Sequence, residues 1–199
     1  MKNVCISGTG LFTPAEQISN DELVASYNAW ATKTNAENAI AIAEGRVKEL
    51  PLSSSEFIVK ASGIGARYAI NKAGTLDINR MRPLIENRPD DVPSVLAEIG
   101  IDAAQQALQR AGRKGEDVDC VLVACSNMQR GYPAMAIEVQ HYLGAKGFAY
   151  DINVACASAT FGLQAAVDAV RMGNAKCALV VSPEICTGHM NYRNRDSHF

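Results

Sequence analysis

Val118-Asp119-Cys120-Val121-Leu122-Val123-Ala124-Cys125 is a nearly continuous apolar run. A membrane helix needs ~18 apolar residues, so a run this short belongs in a protein core. Its β-branched content suits a strand buried on both faces, which is the habit of parallel sheets covered by helices. The flanking segments agree. Ser94 stands as N-cap before a long amphipathic stretch through Arg110, closed by Gly112. Ala134 to Leu143 reads as a helix. Phe148, Tyr150, Ile152 and Val154 alternate as a strand does. Ala159, Leu163, Ala166, Val167 and Val170 recur at helical spacing, and Cys177 to Val181 is another buried strand. Helices alternating with strands from residue 94 onward predict an α/β fold with a mainly parallel sheet layered with helices.

The N-terminal part is less regular. Val4 to Thr9 reads as a strand ending in Gly8-Thr9-Gly10. Ser19 and Glu22 form a capping box that opens a helix to about Trp30. Ala36, Ala39, Ile40, Ala43, Val47 and Leu50 keep helical spacing up to Pro51, so this apolar face is expected to be buried. Ser53 and Glu56 form a second capping box, for a short helix ending at Gly63. Arg67 to Ile70 reads as a strand edge, and residues 71–92 as a loop.

With 199 residues and 48% hydrophobic content, the chain can build a substantial core as one domain or two small ones. Nineteen basic residues against 21 acidic leave a net charge of −2, so neither nucleic acid nor an anionic membrane is indicated as a partner. Arg80, Arg82 and Arg88, and likewise Arg110, Arg113 and Lys114, cluster locally; a solvated face is the plain reading, an acidic carrier protein the sharper one. The six cysteines lack metal-type pairing, and no metal or cofactor is expected. Cys5, Cys120, Cys125 and Cys177 lie in strand-like runs and are expected to be buried hydrophobes, while Cys186 follows one. A reducing cytoplasm suits them. Met1-Lys2-Asn3 leads straight into the first strand, so no secretory leader is expected.

Cys156 differs from the other cysteines. It stands where the strand through Val154 ends and the helix through Val170 begins, flanked by Ala155, Ala157 and Ser158. The first N–H groups of a helix lack intrahelical partners and carry the positive end of its dipole. A thiolate there is expected to be stabilised, which makes it a usable nucleophile. Backbone N–H groups of the same turn can hold an oxyanion. The competing possibility is a small buried hydrophobe, but a tight turn has no need of a thiol.

Asn153-Val154-Ala155-Cys156-Ala157-Ser158-Ala159-Thr160-Phe161-Gly162 resembles the active-site segment of the 3-oxoacyl-[acyl-carrier-protein] synthase III family, condensing enzymes of thiolase fold. Val4 to Gly10 is similar to the family's first strand and glycine turn, and Ser55-Glu56-Phe57-Ile58 with Ser62-Gly63-Ile64 to its coenzyme A segment. Tyr132-Pro133, followed by Gln140 and Leu143-Gly144, is similar to the stretch before its second core strand.

The resemblance implies a decarboxylating Claisen condensation of an acyl-CoA starter with malonyl-acyl carrier protein, in fatty-acid biosynthesis, by a homodimer. Cys156 would be the acyl nucleophile and supply an oxyanion N–H. Phe57 and Arg195 would stack on the coenzyme A adenine, with Ser62 nearby; packing of Phe57 on the core is the alternative. Where many members have Arg-Thr-Gly-Ile, this chain has Ala61-Ser62-Gly63-Ile64, which removes a contact to the nucleotide. Tyr132 would reach into a partner's acyl pocket, or else serve as a loop aromatic beside Pro133. The family's decarboxylating histidine and asparagine lie in later segments, and His141, His189 and His198 occur in none like them. The chain therefore reads as the N-terminal half of a duplicated thiolase-like fold, residues 1–199, with more chain expected after Phe199. It carries a helical insertion near residues 31–53, placed at the mouth of the acyl tunnel or at a dimer edge. A specialised-metabolism acyltransferase, a thioesterase and a non-catalytic pocket-shaping subunit are the alternative functions.

Overall fold

The computed structural model describes residues 3–198. In chain order the elements are β1 (Glu16–Ser19), α1 (Asn20–Glu37), α2 (Ala39–Ala43), α3 (Ser55–Ser62), β2 (Ala66–Ala69), α4 (Lys72–Leu76), α5 (Val95–Ala111), β3 (Cys120–Ala124), α6 (Met135–Leu143), β4 (Phe148–Ile152), α7 (Ser158–Met172) and β5 (Ala178–Val181). The chain divides into two compact units. One joins the N-terminal residues up to Phe12 to Glu86–Glu184; the other joins Thr13–Ile85 to the residues from Ile185 on.

The first unit is a parallel three-stranded sheet in the order β4-β3-β5. Cys120 lies opposite Phe148 on one side and Ala178 on the other. Every residue of the central strand β3 is buried, as its continuous apolar run requires. The outer strand β5 is only half covered, because Ala178 and Val180 are partly accessible. Helix α5 starts at Ser94, whose hydroxyl accepts from the Ala97 N–H, and stops at a left-handed Gly112. Helix α7 lies close on the sheet at Gly162, where a methyl group would come within 2.9 Å of the Ala124 Cβ. The core beneath it is Cys120, Leu122, Ala166 and Ala175.

One expectation for this unit fails. Val4 to Thr9 forms no strand. The segment lies along α5 instead, where Gly8 and Gly10 approach so closely that a methyl group would strike the Ala107 and Ala103 carbonyls. Side chains hold it there: Gln106 Nε2 donates to the Leu11 carbonyl at 2.9 Å and Arg110 Nη1 to that of Thr9 at 2.7 Å. Cys5 is consequently exposed rather than buried, and Cys177 is only partly covered.

In the second unit β1 and β2 form an antiparallel pair, with Glu16 opposite Ala69. The capping box of α1 forms as expected: Glu22 N donates to Ser19 Oγ, and Ser19 N to the Glu22 carboxylate. A hydrogen bond from Lys72, followed by those from Ser19, holds that carboxyl at a pKa of about 2. Helix α1 continues to Glu37, beyond Trp30. The expected helix over 36–50 breaks into the short α2 and an irregular stretch with Gly45 at φ 71°. None of the α2 residues is buried and Ile40 is 75% exposed, so of the predicted apolar face only Leu50 packs against the core of this unit. The N-cap of α3 is Ser54 rather than Ser53, since it is the Ser54 hydroxyl that accepts from the Phe57 N–H. Within the predicted loop, Asn71 caps the short helix α4.

Ser53 has another role. With Tyr27 and Tyr192 it surrounds His198, which is 1% exposed. The Tyr192 carbonyl, 3.1 Å from Nε2, can only accept, so Nε2 carries the proton. Nδ1 is then left to accept from Ser53 Oγ at 3.3 Å. Burial, then the Arg67 and Arg195 charges, pulls the His198 pKa below its ordinary 6.5, against the opposing pull of the Tyr192 bond and Asp196. A depressed folded-state pKa gives stability that is present above the unfolded value and lost as pH falls through the folded one. Acidification below about pH 6.5 is therefore expected to loosen this unit. Trp30, the chain's one tryptophan, packs against its core and reports the change by fluorescence. In His198→Gln the acid sensitivity should flatten; an unchanged pH profile would show that other groups set it.

Candidate active site

Cys156 lies at the carboxyl ends of the parallel strands, between β4 and α7, and is exposed. Its turn is tied by short-range bonds. Asn153 Oδ1 accepts from the Ala155 N–H at 3.1 Å. Ser158 Oγ accepts from the Val154 N–H at 2.9 Å and donates to the Ala155 carbonyl at 2.7 Å. The Ala157 N–H donates to Val154 O at 3.0 Å and the Ser158 N–H to Ala155 O at 3.1 Å. Ala155 is held at φ 47°, a conformation that costs an L-residue about 1–2 kcal/mol. This strained residue immediately precedes the cysteine, as strain at a functional turn commonly does. None of these bonds uses the Cys156 N–H, the group that an oxyanion at this turn would need.

Three other cysteines of this unit are wholly or partly covered, whereas Cys5 is exposed as Cys156 is. Burial, then Asp119, pushes the Cys120 thiol up to about 11. Burial, then Glu184, does the same for Cys125, and burial raises Cys177. Tyr132, also in this unit, is 93% exposed.

The second unit brings together two of the residues assigned to coenzyme A. The Arg195 guanidinium lies 4.3 Å from the Phe57 ring centroid, in stacking range. Phe57 sits in the first turn of α3 and is only partly covered, so it is no core residue. Ser62 is not drawn into that pair. Its hydroxyl donates to the Ile58 carbonyl and accepts from the Ile64 N–H, closing the C-terminus of α3. Of the histidines, His198 is enclosed as described, His141 packs edge-on against its neighbour Tyr142, and His189 is exposed. Sequence reading missed Asn153 and Ser158. A side-chain acceptor two residues before Ala155 was the available clue.

A parallel sheet between helices, with an exposed cysteine on a strained strand-to-helix turn, is the architecture of the thiolase-like condensing enzymes. The 3-oxoacyl-[acyl-carrier-protein] synthase III of Aquifex aeolicus superposes with a TM-score of 0.68 at 24% identity, covering 97% of this chain and 48% of that one. The family model described as 3-oxoacyl-[acyl-carrier-protein (ACP)] synthase III matches residues 150–199. A beta-ketodecanoyl-[acyl-carrier-protein] synthase of Pseudomonas aeruginosa is 55% identical over 174 residues, which is 87% of this chain and 50% of that protein. A beta-ketoacyl-[acyl-carrier-protein] synthase III of Granulibacter bethesdensis is 29% identical over 196 residues, or 98% of this chain and 47% of that one. Over most of its length the chain is similar to members of the 3-oxoacyl-[acyl-carrier-protein] synthase III family. It spans about half the length of the curated relatives it matches.

Proposed function

We propose that this chain carries the nucleophilic half of a beta-ketoacyl-[acyl-carrier-protein] synthase III-type acyltransferase in fatty-acid biosynthesis. The observation that supports it most is the exposed Cys156 on its strained turn, in a chain 55% identical to a named condensing enzyme. The Cys156 thiolate attacks the thioester carbonyl of an acyl-CoA, the Cys156 N–H holds the oxyanion, and coenzyme A leaves as its thiol. The exchange of one thioester for another is nearly neutral in energy. Malonyl-acyl carrier protein then loses carbon dioxide, its carbanion attacks the acyl-cysteine, and the Cys156 thiolate is released with 3-oxoacyl carrier protein as product. We assign the decarboxylation to groups outside these residues, since His198 is spent on structure.

Phe57 and Arg195, stacked directly on each other at 4.3 Å, part to take the adenine between them, and Ser62 acts through the end of α3 rather than by its own hydroxyl. The working unit is a cytoplasmic homodimer in which Tyr132 of one subunit faces the other's acyl pocket; its near-complete exposure in the single chain supports this. A beta-ketodecanoyl product has ten carbons and the condensation adds two, so the relative's name points to an eight-carbon starter for this chain as well.

Incubation with octanoyl- and acetyl-coenzyme A tests the reading. Octanoyl transfer to Cys156, followed by peptide mass, should outpace acetyl transfer by about tenfold or more, because each buried methylene contributes about 0.8 kcal/mol. Acylation of another cysteine would sink the nucleophile assignment. Equal rates would sink the starter length.

A further inference from the structure

We infer that Glu184 is a positioning residue for the Cys156 turn, acting through a relay across the carboxyl ends of all three parallel strands. The relay rests on Cys156 being the nucleophile. Glu184 follows β5, and its Oε1 accepts from both the N–H and the hydroxyl of Ser126, at 2.5 and 2.6 Å. Ser126 follows β3, and its carbonyl accepts from Asn153 Nδ2 at 3.0 Å. Asn153 follows β4, and its Oδ1 accepts from the Ala155 N–H. Ala155 is the left-handed residue that aims Cys156.

Each link holds the next at a strand end, where no ladder bond remains to do so. Asn153 is the hinge of the relay, because one amide end grips β3 and the other grips the turn. Glu184 Oε2 is buried and has no partner among the described residues. Burying an unpaired acceptor is costly, and a carboxylate is warranted there only if its charge strengthens the two bonds from Ser126. Sequence reading gave Glu184 no role, since the relay joins residues from three separate strands.

The test uses the chain itself and two thiol reagents. Iodoacetamide needs only an accessible thiolate; a simple acyl thioester, S-octanoyl-N-acetylcysteamine, also needs the oxyanion N–H. Rates at Cys156 are measured across pH to the plateau, so that a shifted titration is separated from a changed geometry. Glu184→Ala should lower the thioester plateau about tenfold or more, since small misplacements are costly in such reactions, with the iodoacetamide plateau changed less than about threefold. Glu184→Gln, which keeps the acceptor without the charge, should fall between wild type and alanine. Asn153→Ala leaves Glu184 in place and should reproduce the loss, and the double variant should be little worse than either single one. An unchanged thioester plateau, an equal fall with both reagents, or fully additive losses would overturn the relay. A wild-type Cys156 inert to both reagents would overturn the nucleophile assignment and the relay with it, whereas a reactive wild type unaffected by Glu184→Ala overturns the relay alone.

Discussion

Cys156→Ala is expected to abolish acyl-enzyme formation, with a loss on the order of 10⁴-fold or more, because a missing nucleophile cannot be replaced by positioning alone. The other cysteines do not compensate. Cys120 and Cys125 are buried with thiols pushed to about 11, so their thiolate fraction near neutral pH is on the order of 10⁻⁴. Cys5 and Cys186 are exposed but do not stand at the start of a long helix. Iodoacetamide labelling followed by peptide mapping should therefore find Cys156 modified first, ahead of Cys5 and Cys186. Labelling of either of those before Cys156, or acyl transfer surviving in Cys156→Ala, would move the chemistry elsewhere.

The second large effect is on stability. Gly147→Ala should destabilise the first unit by about 3 kcal/mol or more. Gly147 precedes β4 at φ 74°, and a methyl group there would lie 2.0 Å from the Asp119 carbonyl oxygen. That oxygen belongs to a fixed backbone leading into β3, and it also accepts from the Phe148 N–H. The strand leading to Cys156 would have to shift to make room. Gly112→Ala is the control. Gly112 is also left-handed, at φ 64°, but nothing lies within 4 Å of the added methyl, so a cost of only about 1 kcal/mol is expected. Urea unfolding of the two variants separates conformational strain from collision. Equal midpoints would show that β4 can move freely, and with it the start of the Cys156 turn.

The contrast between these glycines shows where sequence reading stops. Both are turn glycines in the chain, and only the folded structure places a carbonyl beside one of them. The same holds for Val4 to Thr9. Its apolar start, Val4-Cys5-Ile6, suits a strand, but a strand needs a partner edge, and among the described residues this segment finds the backbone of α5 instead. Residues 36–50 kept helical spacing, yet no surface covers α2, and a pattern carries no information on whether a mate exists.

What the sequence by itself determined is what neighbouring residues decide together. Ser19 with Glu22, Ser94, Gly63 and Gly112 end their helices through bonds and dihedrals spanning a few residues. The unbroken run of β3 specifies burial on both faces, and a cysteine among small residues between strand and helix specifies the exposed thiol. Tertiary structure alone decided the pairing of β1 with β2, the enclosure of His198 by Ser53, Tyr27 and Tyr192, the stacking of Arg195 on Phe57, and the line from Glu184 to Ala155. Each joins residues far apart along the chain. Such contacts depend on the closure of long loops and on which surfaces meet, and local propensity does not encode either.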